Sequence, residues 1–405
     1  MIQDSLSLPN GAVIRNRLVK SAMSEALGDP GNNPTDGLIN LFGRWSQGGA
    51  GLLITGNTPI DRWHLEHAGN CVLDNQSDMD RVKRLATAAK SGGAIALAQL
   101  AHAGRQTPAL INPHPLSISD VRLDLPGYGA PKPASTADLE YTLRQYAQSA
   151  ALAKEVGFDG VEIHAAHGYL LSSSLSPRIN TRDDQWGGSL ENRSRLVLAV
   201  VEAVRAEVGA EFIVATKLNS SDFQTGGFSH EDSIEVAKML QAEGIDFLEV
   251  SGGNFESPVS YQHTAKKEST RVREAYFLDY ARDIKSALDI PVMVTGGFRS
   301  ASVMNEALQS GATDLIGMGR PFIIDPEFPR KLLNGEIDMA PAIERDFPPA
   351  SELPRGAVLN WFCHQLALHG THGDSDISIP VIEGHEHYLD TIQLLTEKLL
   401  EARAN

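Results

Sequence analysis

The chain has 405 residues, is 42% hydrophobic and carries a formal net charge of −16 at pH 7, so it lacks the basic surface that nucleic acid or an anionic membrane requires of a partner. Its two cysteines, Cys71 and Cys363, exclude a disulfide framework and a cysteine-held iron–sulfur cluster. The first residues lack the charged and apolar regions of a signal peptide, and the apolar runs are too short to cross a bilayer, which predicts a cytoplasmic location.

Eight short segments rich in Val, Ile and Leu predict strands that are buried on both faces of a parallel sheet. They span residues 17–23, 51–57, 94–100, 160–164, 212–218, 247–252, 291–297 and 315–320. Segments of helical periodicity lie between them, for example at 77–93, 137–157, 189–209, 229–244 and 273–289. Eight strands alternating with helices predict an α/β fold, a single (β/α)8 TIM barrel. A doubly wound sheet is the competing fold, but no G-x-G-x-x-G motif follows the first strand.

Two regions do not fit this alternation. Residues 103–135, after the third strand, are rich in Pro and Gly, and loop insertions of that length usually form lids, binding loops or small subdomains. Residues 336–405 form a C-terminal extension beyond a catalytic barrel of residues 1–335. We expect this extension to pack on the barrel or on a neighbouring subunit of a homo-oligomer.

The residues that follow the predicted strands carry the chemistry, because the active site of a (β/α)8 barrel lies at the C-terminal ends of its strands. The fourth strand runs into EIHAAHGYLL at residues 162–171. The candidates are Met23 and Ser24 after the first strand, Gln99 at the third, His164, His167 and Tyr169 at the fourth, and Lys217 at the fifth.

Glycine-rich segments follow the seventh and eighth strands, with Gly296 and Gly297 in one and Gly319 beside Arg320 in the other. Loops at these two places form the commonest phosphate site of this fold, because their backbone N–H groups face the ligand. The alternative is that both are ordinary tight turns. A cation beside one of them favours the phosphate site.

The two histidines and the tyrosine have three interpretations. Histidines three residues apart can bind a metal ion, but no H-E-x-x-H pattern supplies further ligands. Plain packing would require hydrogen-bond partners for two adjacent buried imidazoles. The interpretation we favour is a polar cavity in which neutral imidazoles hold a carbonyl oxygen and the phenol delivers a proton.

The segment IHAAHGYLLSSSLSPRINTRDDQWGGSLENRSRL, at residues 163–196, resembles the signature of the Old Yellow Enzyme family of FMN-dependent ene-reductases. The resemblance continues at residues 16–25, at 98–107 and in the two glycine-rich loops, and covers about residues 10 to 335. It implies non-covalently bound FMN at the top of the barrel, with NADH or NADPH as the reductant. It also implies a small enone- or enal-type substrate.

The resemblance also implies individual roles. Ala22, Met23 and Ser24 would flank the flavin ring, Asn57 would lie under it, Gln99 and Lys217 would contact its pyrimidine end, and Gly296, Gly297, Gly319 and Arg320 would take the phosphate. His164 and His167 would hold the carbonyl oxygen of an α,β-unsaturated compound. Hydride would pass to its β-carbon, and Tyr169 would protonate its α-carbon.

Five positions depart from the family pattern, one of them Ala26, which falls near where some relatives have a Tyr in the substrate pocket. Ala22 replaces a frequent Pro, Ser24 a frequent Cys, Asn57 a small residue and Lys217 the usual Arg. The alternative functions are a flavin-free (β/α)8 lyase or metal-dependent hydrolase that uses His164 and His167, and a flavin-binding protein without catalytic activity.

Some polar residues near the strand ends lie outside this scheme. Lys20, inside the first strand, has no role in it. We expect Glu25, two residues after Met23, to lie close to the cavity and to contact substrate. We expect His102 and Arg105 to organise the insertion that follows the third strand.

Overall fold

The computed structural model describes residues 1–257 and 274–404, and its centre is a closed barrel of eight parallel strands. The strands are β1 (Leu18–Lys20), β2 (Leu52–Ile54), β3 (Ile95–Ala101), β4 (Gly160–Ala165), β5 (Ile213–Asn219), β6 (Phe247–Ser251), β7 (Val292–Thr295) and β8 (Leu315–Met318). Neighbours in the chain pair with each other, and β8 pairs with β1 to close the ring. The predicted (β/α)8 TIM barrel is confirmed.

Alternate strand residues fill the inside of the barrel, as the two-residue period of a strand requires. Their side chains form one buried cluster that includes Val19, Leu52, Leu97, Ala215 and Met293. The intervening residues point outward into a larger cluster between strands and helices. Burial on both faces explains why the strand sequences are continuously apolar.

Two shorter strand pairings accompany the barrel. An antiparallel hairpin joins Leu6–Ser7 to Val13–Ile14 before β1, and Ile14 belongs to the cluster inside the barrel. The two-residue strand Thr58–Pro59 follows β2 and pairs with the end of β3. This second pairing holds the loop after β2 beside the C-terminal ends of the strands.

The helices surround the barrel and extend into the C-terminal region. They are α1 (Asp36–Gln47), α2 (Met79–Lys90), α3 (Thr136–Glu155), α4 (Leu170–Leu175), α5 (Leu190–Val208), α6 (His230–Ala242), α7 (Leu278–Ser286), α8 (Ala301–Gln309), α9 (Arg320–Ile324), α10 (Phe328–Leu333), α11 (Ala357–His372) and α12 (Val381–Ala404). Each predicted helical segment contains one of them, although the segment 273–289 begins at a position outside the described residues. Within the described ranges no helix is long and apolar enough to cross a membrane.

Helix starts follow from side-chain caps. Ser135, Ser189 and Ser229 each accept a hydrogen bond from the backbone N–H three residues later. At α3 the cap is reciprocal, since Asp138 accepts from the N–H of Ser135. These caps satisfy backbone donors that have no partner inside the helix, and they fix where each helix leaves its strand-end loop.

The insertion at residues 103–135 contains little regular structure: a 3-10 helix at Gly104–Gln106 and two-residue strands at Leu116–Ser117 and Lys132–Pro133. Arg105 anchors it, because its guanidinium donates to Glu256 at 2.7 Å and to the carbonyl of Arg122 at 3.1 Å. His102 accepts from the N–H of Gly104 at 3.1 Å. The expectation that these two residues organise the insertion is confirmed.

The C-terminal extension packs on the barrel of its own chain. Helix α11 crosses α1 closely, since a Cβ added at Gly37 would lie 2.5 Å from the carbonyl oxygen of Gly370. His369 on α11 donates to the carbonyl of Ile323 at 2.5 Å, and the side chain of Trp361 is fully buried. These contacts bring α11 over the C-terminal ends of the strands.

Lys20 has a partner that was not evident from the sequence. Its buried ammonium donates to Glu25 at 2.5 Å and to the carbonyl of Ile54 at 2.8 Å, and it lies 4.6 Å from the ring centroid of Trp45. Glu25 also accepts from the N–H of Gly56. Both Glu25 oxygens are therefore occupied by the protein, and the expectation that Glu25 contacts substrate is wrong.

Candidate active site

A cavity of about 820 Å³ opens at the C-terminal ends of the strands. Strand-end loops, the insertion after β3 and helix α11 form its walls. All thirteen predicted site residues line this one cavity: Ala22, Met23, Ser24, Asn57, Gln99, His164, His167, Tyr169, Lys217, Gly296, Gly297, Gly319 and Arg320. Its size is typical of a site for a cofactor-sized ligand.

The end of β4 brings His164, His167 and Tyr169 together through a sharp turn. His167 has a positive φ of 62°, which is uncommon for a residue with a side chain. The turn is held because its N–H donates to Asn219 and its carbonyl accepts from Gln106. As a result the His164 ring lies 5.2 Å from the His167 ring and 4.8 Å from the Tyr169 ring, with near-perpendicular planes in both cases.

Hydrogen bonds within the protein use one nitrogen of each histidine ring. The Nδ1 atom of His164 accepts from the N–H of Ala166 at 3.2 Å, so the neutral ring carries its proton on Nε2. His167 uses Nε2 for a 2.8 Å bond with the Ser251 hydroxyl. Burial, and then the positive charges nearby, hold the pKa of both histidines well below the usual value. Both rings are therefore neutral hydrogen-bonding groups near pH 7.

Tyr169 is held by a chain of amide side chains. Asn70 donates to Asn57 Oδ1 at 2.7 Å, and this fixes the orientation of the Asn57 amide. Asn57 Nδ2 then donates to the Tyr169 hydroxyl at 3.3 Å and to Glu66 Oε2 at 2.6 Å. Asn57 therefore connects the Tyr169 hydroxyl to Glu66 and to Asn70.

A buried charged network lies at the ends of β3 to β6. Lys217 pairs with Glu249 at 2.9 Å, and Gln99 donates to Glu162 at 2.6 Å. Burial would raise the pKa of Glu249, but the Lys217 ammonium and a hydrogen bond with Glu162 hold it below the usual value. Burial and the Glu249 charge raise the pKa of Glu162 well above its usual value. Of the two carboxyl groups, Glu249, which pairs with Lys217, is therefore the stronger acid.

The opposite end of the cavity is built from glycines and arginines. Gly297 has a φ of +85°, and a Cβ there would lie 2.8 Å from the backbone nitrogen of Ala275, so only glycine fits. Arg299 forms an ion pair with Glu344. The guanidinium of Arg320 lies 5.5 Å from the ring centroid of Phe362 on α11. This end combines exposed backbone with positive charge, as an anionic group requires.

A second group of histidines lies outside this cavity. Asp61, His64 and His102 place their potential metal-binding atoms within 4.8 Å of one another. However, His64 Nε2 accepts from the N–H of Leu116 at 3.0 Å, and His102 Nδ1 accepts from the N–H of Gly104. The nitrogens that face Asp61 must then carry protons in neutral rings. These three residues hold the insertion through hydrogen bonds, and we do not assign a metal site to them.

Several lining residues were missed by the sequence analysis. Glu66 follows β2, Tyr128 lies in the insertion, Phe255 follows β6, and Cys363 belongs to α11. The length of the insertion was a signal that it could form a wall of the cavity. Glu66 had no such signal, because nothing in a linear motif shows that its loop folds back over the strand ends.

Comparison with known proteins places the chain in a family. The model of the NADH:flavin oxidoreductase / NADH oxidase family matches residues 7–338. The chain belongs to this family. It is 32% identical over 388 residues to the NADH-dependent flavin oxidoreductase iliE of Hypocrea jecorina (strain QM6a), covering 90% of this chain and 94% of that protein. It is 37% identical over 339 residues to the NADH-dependent flavin oxidoreductase nadA of Aspergillus parasiticus, covering 80% and 76%.

A solved structure agrees with this assignment. An Old Yellow Enzyme homologue from Zymomonas mobilis is 25% identical and superposes with a TM-score of 0.71, covering 88% of this chain and 98% of that one. Other relatives are longer, since the chain spans 46% of the iliE protein of Neonectria sp. (strain DH2). The resemblance inferred from the β4 segment is therefore confirmed.

The chain is an NAD(P)H-dependent flavin oxidoreductase with FMN as its cofactor. The cavity fits this cofactor. Gly296, Gly297 and Gly319 line the cavity with backbone alone, and Arg299 and Arg320 supply positive charge at the same end. Gln99 and Lys217 supply an amide and an ammonium on the floor of the cavity, where a polar ring edge needs donors and acceptors.

Proposed function

We propose that this flavin oxidoreductase reduces the activated C=C bond of α,β-unsaturated carbonyl compounds. The observation that carries the proposal is the group formed by His164, His167 and Tyr169 in the same cavity as the anion-binding end. When bound, FMN supplies the redox chemistry, by accepting a hydride from NADH or NADPH and passing it to the β-carbon of the substrate.

The two histidines hold the carbonyl oxygen of the substrate. His164 donates from Nε2, because its Nδ1 is occupied by the N–H of Ala166. His167 donates from Nδ1 when the Ser251 hydroxyl donates to its Nε2. Two N–H donors stabilise the negative charge that develops on the oxygen as the alkene is reduced. Because both rings are neutral, they polarise the carbonyl without fully protonating it.

Tyr169 supplies the proton to the α-carbon. Its ring packs perpendicular to that of His164, so the hydroxyl is fixed beside the site at which the oxygen is held. The hydrogen bond from Asn57 stabilises the phenolate that remains after the transfer. This geometry delivers the proton next to the carbon that becomes negatively charged.

We assign cofactor contacts by position in the cavity. Gln99 and Lys217 would hold the pyrimidine end, and Ala22, Met23, Ser24 and Asn57 would flank the ring system. Gly296, Gly297, Gly319 and Arg320 would bind the phosphate. The ammonium of Lys217 is partly neutralised by Glu249, so this site has less net positive charge than one with an unpaired cation.

The proposal favours an ene-reductase over a metal-dependent hydrolase. A metal ion on His164 would require Nε2 without a proton. Because Nδ1 accepts a hydrogen bond, the proton of the neutral ring is on Nε2. The same cavity also provides the anion-binding end that a flavin mononucleotide requires.

The test separates the two half-reactions of a Tyr169→Phe variant. Anaerobic stopped-flow measurement should show flavin reduction by NADH within a few-fold of the wild-type rate. Reoxidation by 2-cyclohexenone should be slower by roughly 10²-fold, the usual contribution of a positioned acid. An equal loss in both half-reactions would contradict the role of Tyr169, and reduced wild-type enzyme that is not reoxidised by any enone would contradict the proposed reaction.

A further inference from the structure

The carboxylate of Glu66 lies close to the proposed proton donor. Glu66 lines the cavity, and its Oε2 accepts from the Ser24 hydroxyl and from Asn57 Nδ2, both at 2.6 Å. Asn57 is the same side chain that donates to the Tyr169 hydroxyl. Glu66 is therefore one side chain away from the place where the alkene reacts.

The charge of Glu66 is uncompensated within the described residues. Two other glutamates that line the cavity, Glu274 and Glu344, pair with Arg345 and Arg299. Glu66 has no Lys or Arg within 4.0 Å in the described part of the chain. Its neighbour His67 lies 3.8 Å away, but burial lowers the pKa of His67, so that ring remains neutral near pH 7.

The position of Glu66 is fixed by the protein. Asn70 Oδ1 accepts from the backbone N–H of Glu66 at 2.9 Å, while the other end of the same amide orients Asn57. Both hydrogen bonds to the carboxylate fall on Oε2, which leaves Oε1 without a hydrogen bond from the described residues. A fixed carboxylate with one available oxygen is a binding group for a cation.

The charge of Glu66 acts across the substrate end of the cavity. Burial, and then the charge of Glu66, raise the pKa of Tyr128 to about 12. Tyr128 lies in the insertion, 6.5 Å from the ring of Phe255, which in turn lies 6.0 Å from the ring of Tyr169. Aromatic faces beside a carboxylate also favour a cation over an anion.

We propose that Glu66 selects substrates whose activated alkene carries a protonated amine, with the ammonium bound at Oε1. This inference rests on the proposed reduction of α,β-unsaturated carbonyl compounds. In this arrangement Arg299 and Arg320 lie beside the glycines that would take the cofactor phosphate, and Glu66 would receive the cationic group of the substrate. Arg355, which also lines the cavity, donates to the carbonyl of Phe255.

The first experiment measures binding without turnover. Phenols that occupy the carbonyl site perturb flavin absorbance, so dissociation constants can be compared for tyramine, 4-propylphenol and 4-(2-hydroxyethyl)phenol, which have similar size. Tyramine should bind roughly tenfold tighter than the two neutral phenols in the wild type, as expected for one charge-assisted contact. Glu66→Gln keeps an acceptor for Ser24 and Asn57, and it should reduce this preference to within about twofold.

The controls separate charge from structure. Glu66→Asp keeps the carboxylate and should retain a preference for tyramine even if Glu66→Gln fails to fold. Glu202→Gln, on the exposed face of α5, should bind all three phenols like the wild type. Equal binding of tyramine and 4-propylphenol by the wild type would overturn the inference. So would a preference that survives in Glu66→Gln, or binding of 4-(2-hydroxyethyl)phenol as tight as that of tyramine.

The second experiment compares two substrates of similar size, one cationic and one neutral. The cationic enone is 4-(4-aminomethylphenyl)but-3-en-2-one, and the neutral enone carries an ethyl group in place of the aminomethyl group. The ratio of their kcat/KM values should be about ten in the wild type and about one in Glu66→Gln. A ratio near one in the wild type would overturn the inference while leaving the proposed function intact. If neither enone reoxidises the reduced enzyme, the proposed function itself fails.

Discussion

The histidine pair His164–His167 and the pair His64–His102 both lie near the C-terminal ends of barrel strands, but their hydrogen bonds differ. The rings of the first pair are 5.2 Å apart and nearly perpendicular, and those of the second are stacked at 4.0 Å. In the second pair, each ring accepts a backbone N–H with one nitrogen, His64 with Nε2 and His102 with Nδ1. The other nitrogen of each ring faces Asp61. The first pair keeps His164 Nε2 and His167 Nδ1 without hydrogen bonds from the described residues.

This difference shows that residue type and position at a strand end do not determine the role of a histidine. The His64–His102 pair uses its hydrogen-bonding capacity on Asp61 and on the insertion, so it stabilises a wall of the cavity. The His164–His167 pair leaves one nitrogen of each ring without a hydrogen bond from the described residues. A histidine with protein partners at both ring nitrogens has a structural role, whereas a histidine with a partner at only one nitrogen has the other available to a ligand.

The largest expected effect comes from His164→Ala. Removal of one donor to a developing oxyanion typically costs about 10²–10³-fold in rate, so reoxidation of the reduced enzyme by 2-cyclohexenone should slow by roughly that factor. The absorbance band that phenols produce on binding should also disappear. Anaerobic stopped-flow and phenol titration measure the two effects.

His102→Ala is the matched control for this change. Because His102 lies outside the cavity lining, the variant should reoxidise at a rate within a few-fold of the wild type and should still bind phenols. A loss of reoxidation as large as that of His164→Ala would erase the distinction between the two pairs.

The next effect is the contribution of His102 to the pH dependence of the free energy of unfolding. Burial, and then the neighbouring His64, lower the pKa of His102 from 6.5 to about 3. Between these pH values the unfolded chain binds a proton at His102 that the folded chain does not bind. The contribution of neutral His102 to the stability of the protein is therefore complete above about pH 6.5 and is lost as the pH falls toward 3. From pH 7 to pH 5 the expected loss is about 2 kcal/mol.

Urea unfolding at pH 7 and pH 5 measures this loss, with His102→Leu as the comparison. The variant should be less stable at pH 7, because the N–H of Gly104 loses its acceptor, but its stability should fall less between the two pH values. An equal pH dependence in both proteins would show that His102 is not held neutral by the fold.

The barrel itself was predictable from the sequence, since eight apolar segments alternate with capped helices and each one became a strand. The β4 motif also led directly to His164, His167 and Tyr169. Contacts between distant segments were not predictable. Glu66, Glu249 and Ser251 modify the same three residues or the same cavity, but they come from the loop after β2 and from β6, which only the closed barrel brings beside the end of β4. The pairing of Lys20 with Glu25 was hidden for the same reason.

The smallest expected effect tests whether His167 belongs fully to the binding pair. Its Nε2 bonds to the Ser251 hydroxyl at 2.8 Å, and we infer that this hydroxyl donates, which keeps the proton of His167 on the cavity-facing Nδ1. Ser251→Ala removes that preference between the two tautomers, at a cost of about 0.5–1.5 kcal/mol. Phenol dissociation constants should therefore rise roughly threefold to tenfold.

Ser149→Ala removes a buried hydroxyl that donates to the carbonyl of Leu73, outside the cavity lining, and it should leave phenol binding at the wild-type value. Unchanged phenol binding in Ser251→Ala would mean that the His167 tautomer is set by the ligand itself, and that His164 alone is oriented by the protein.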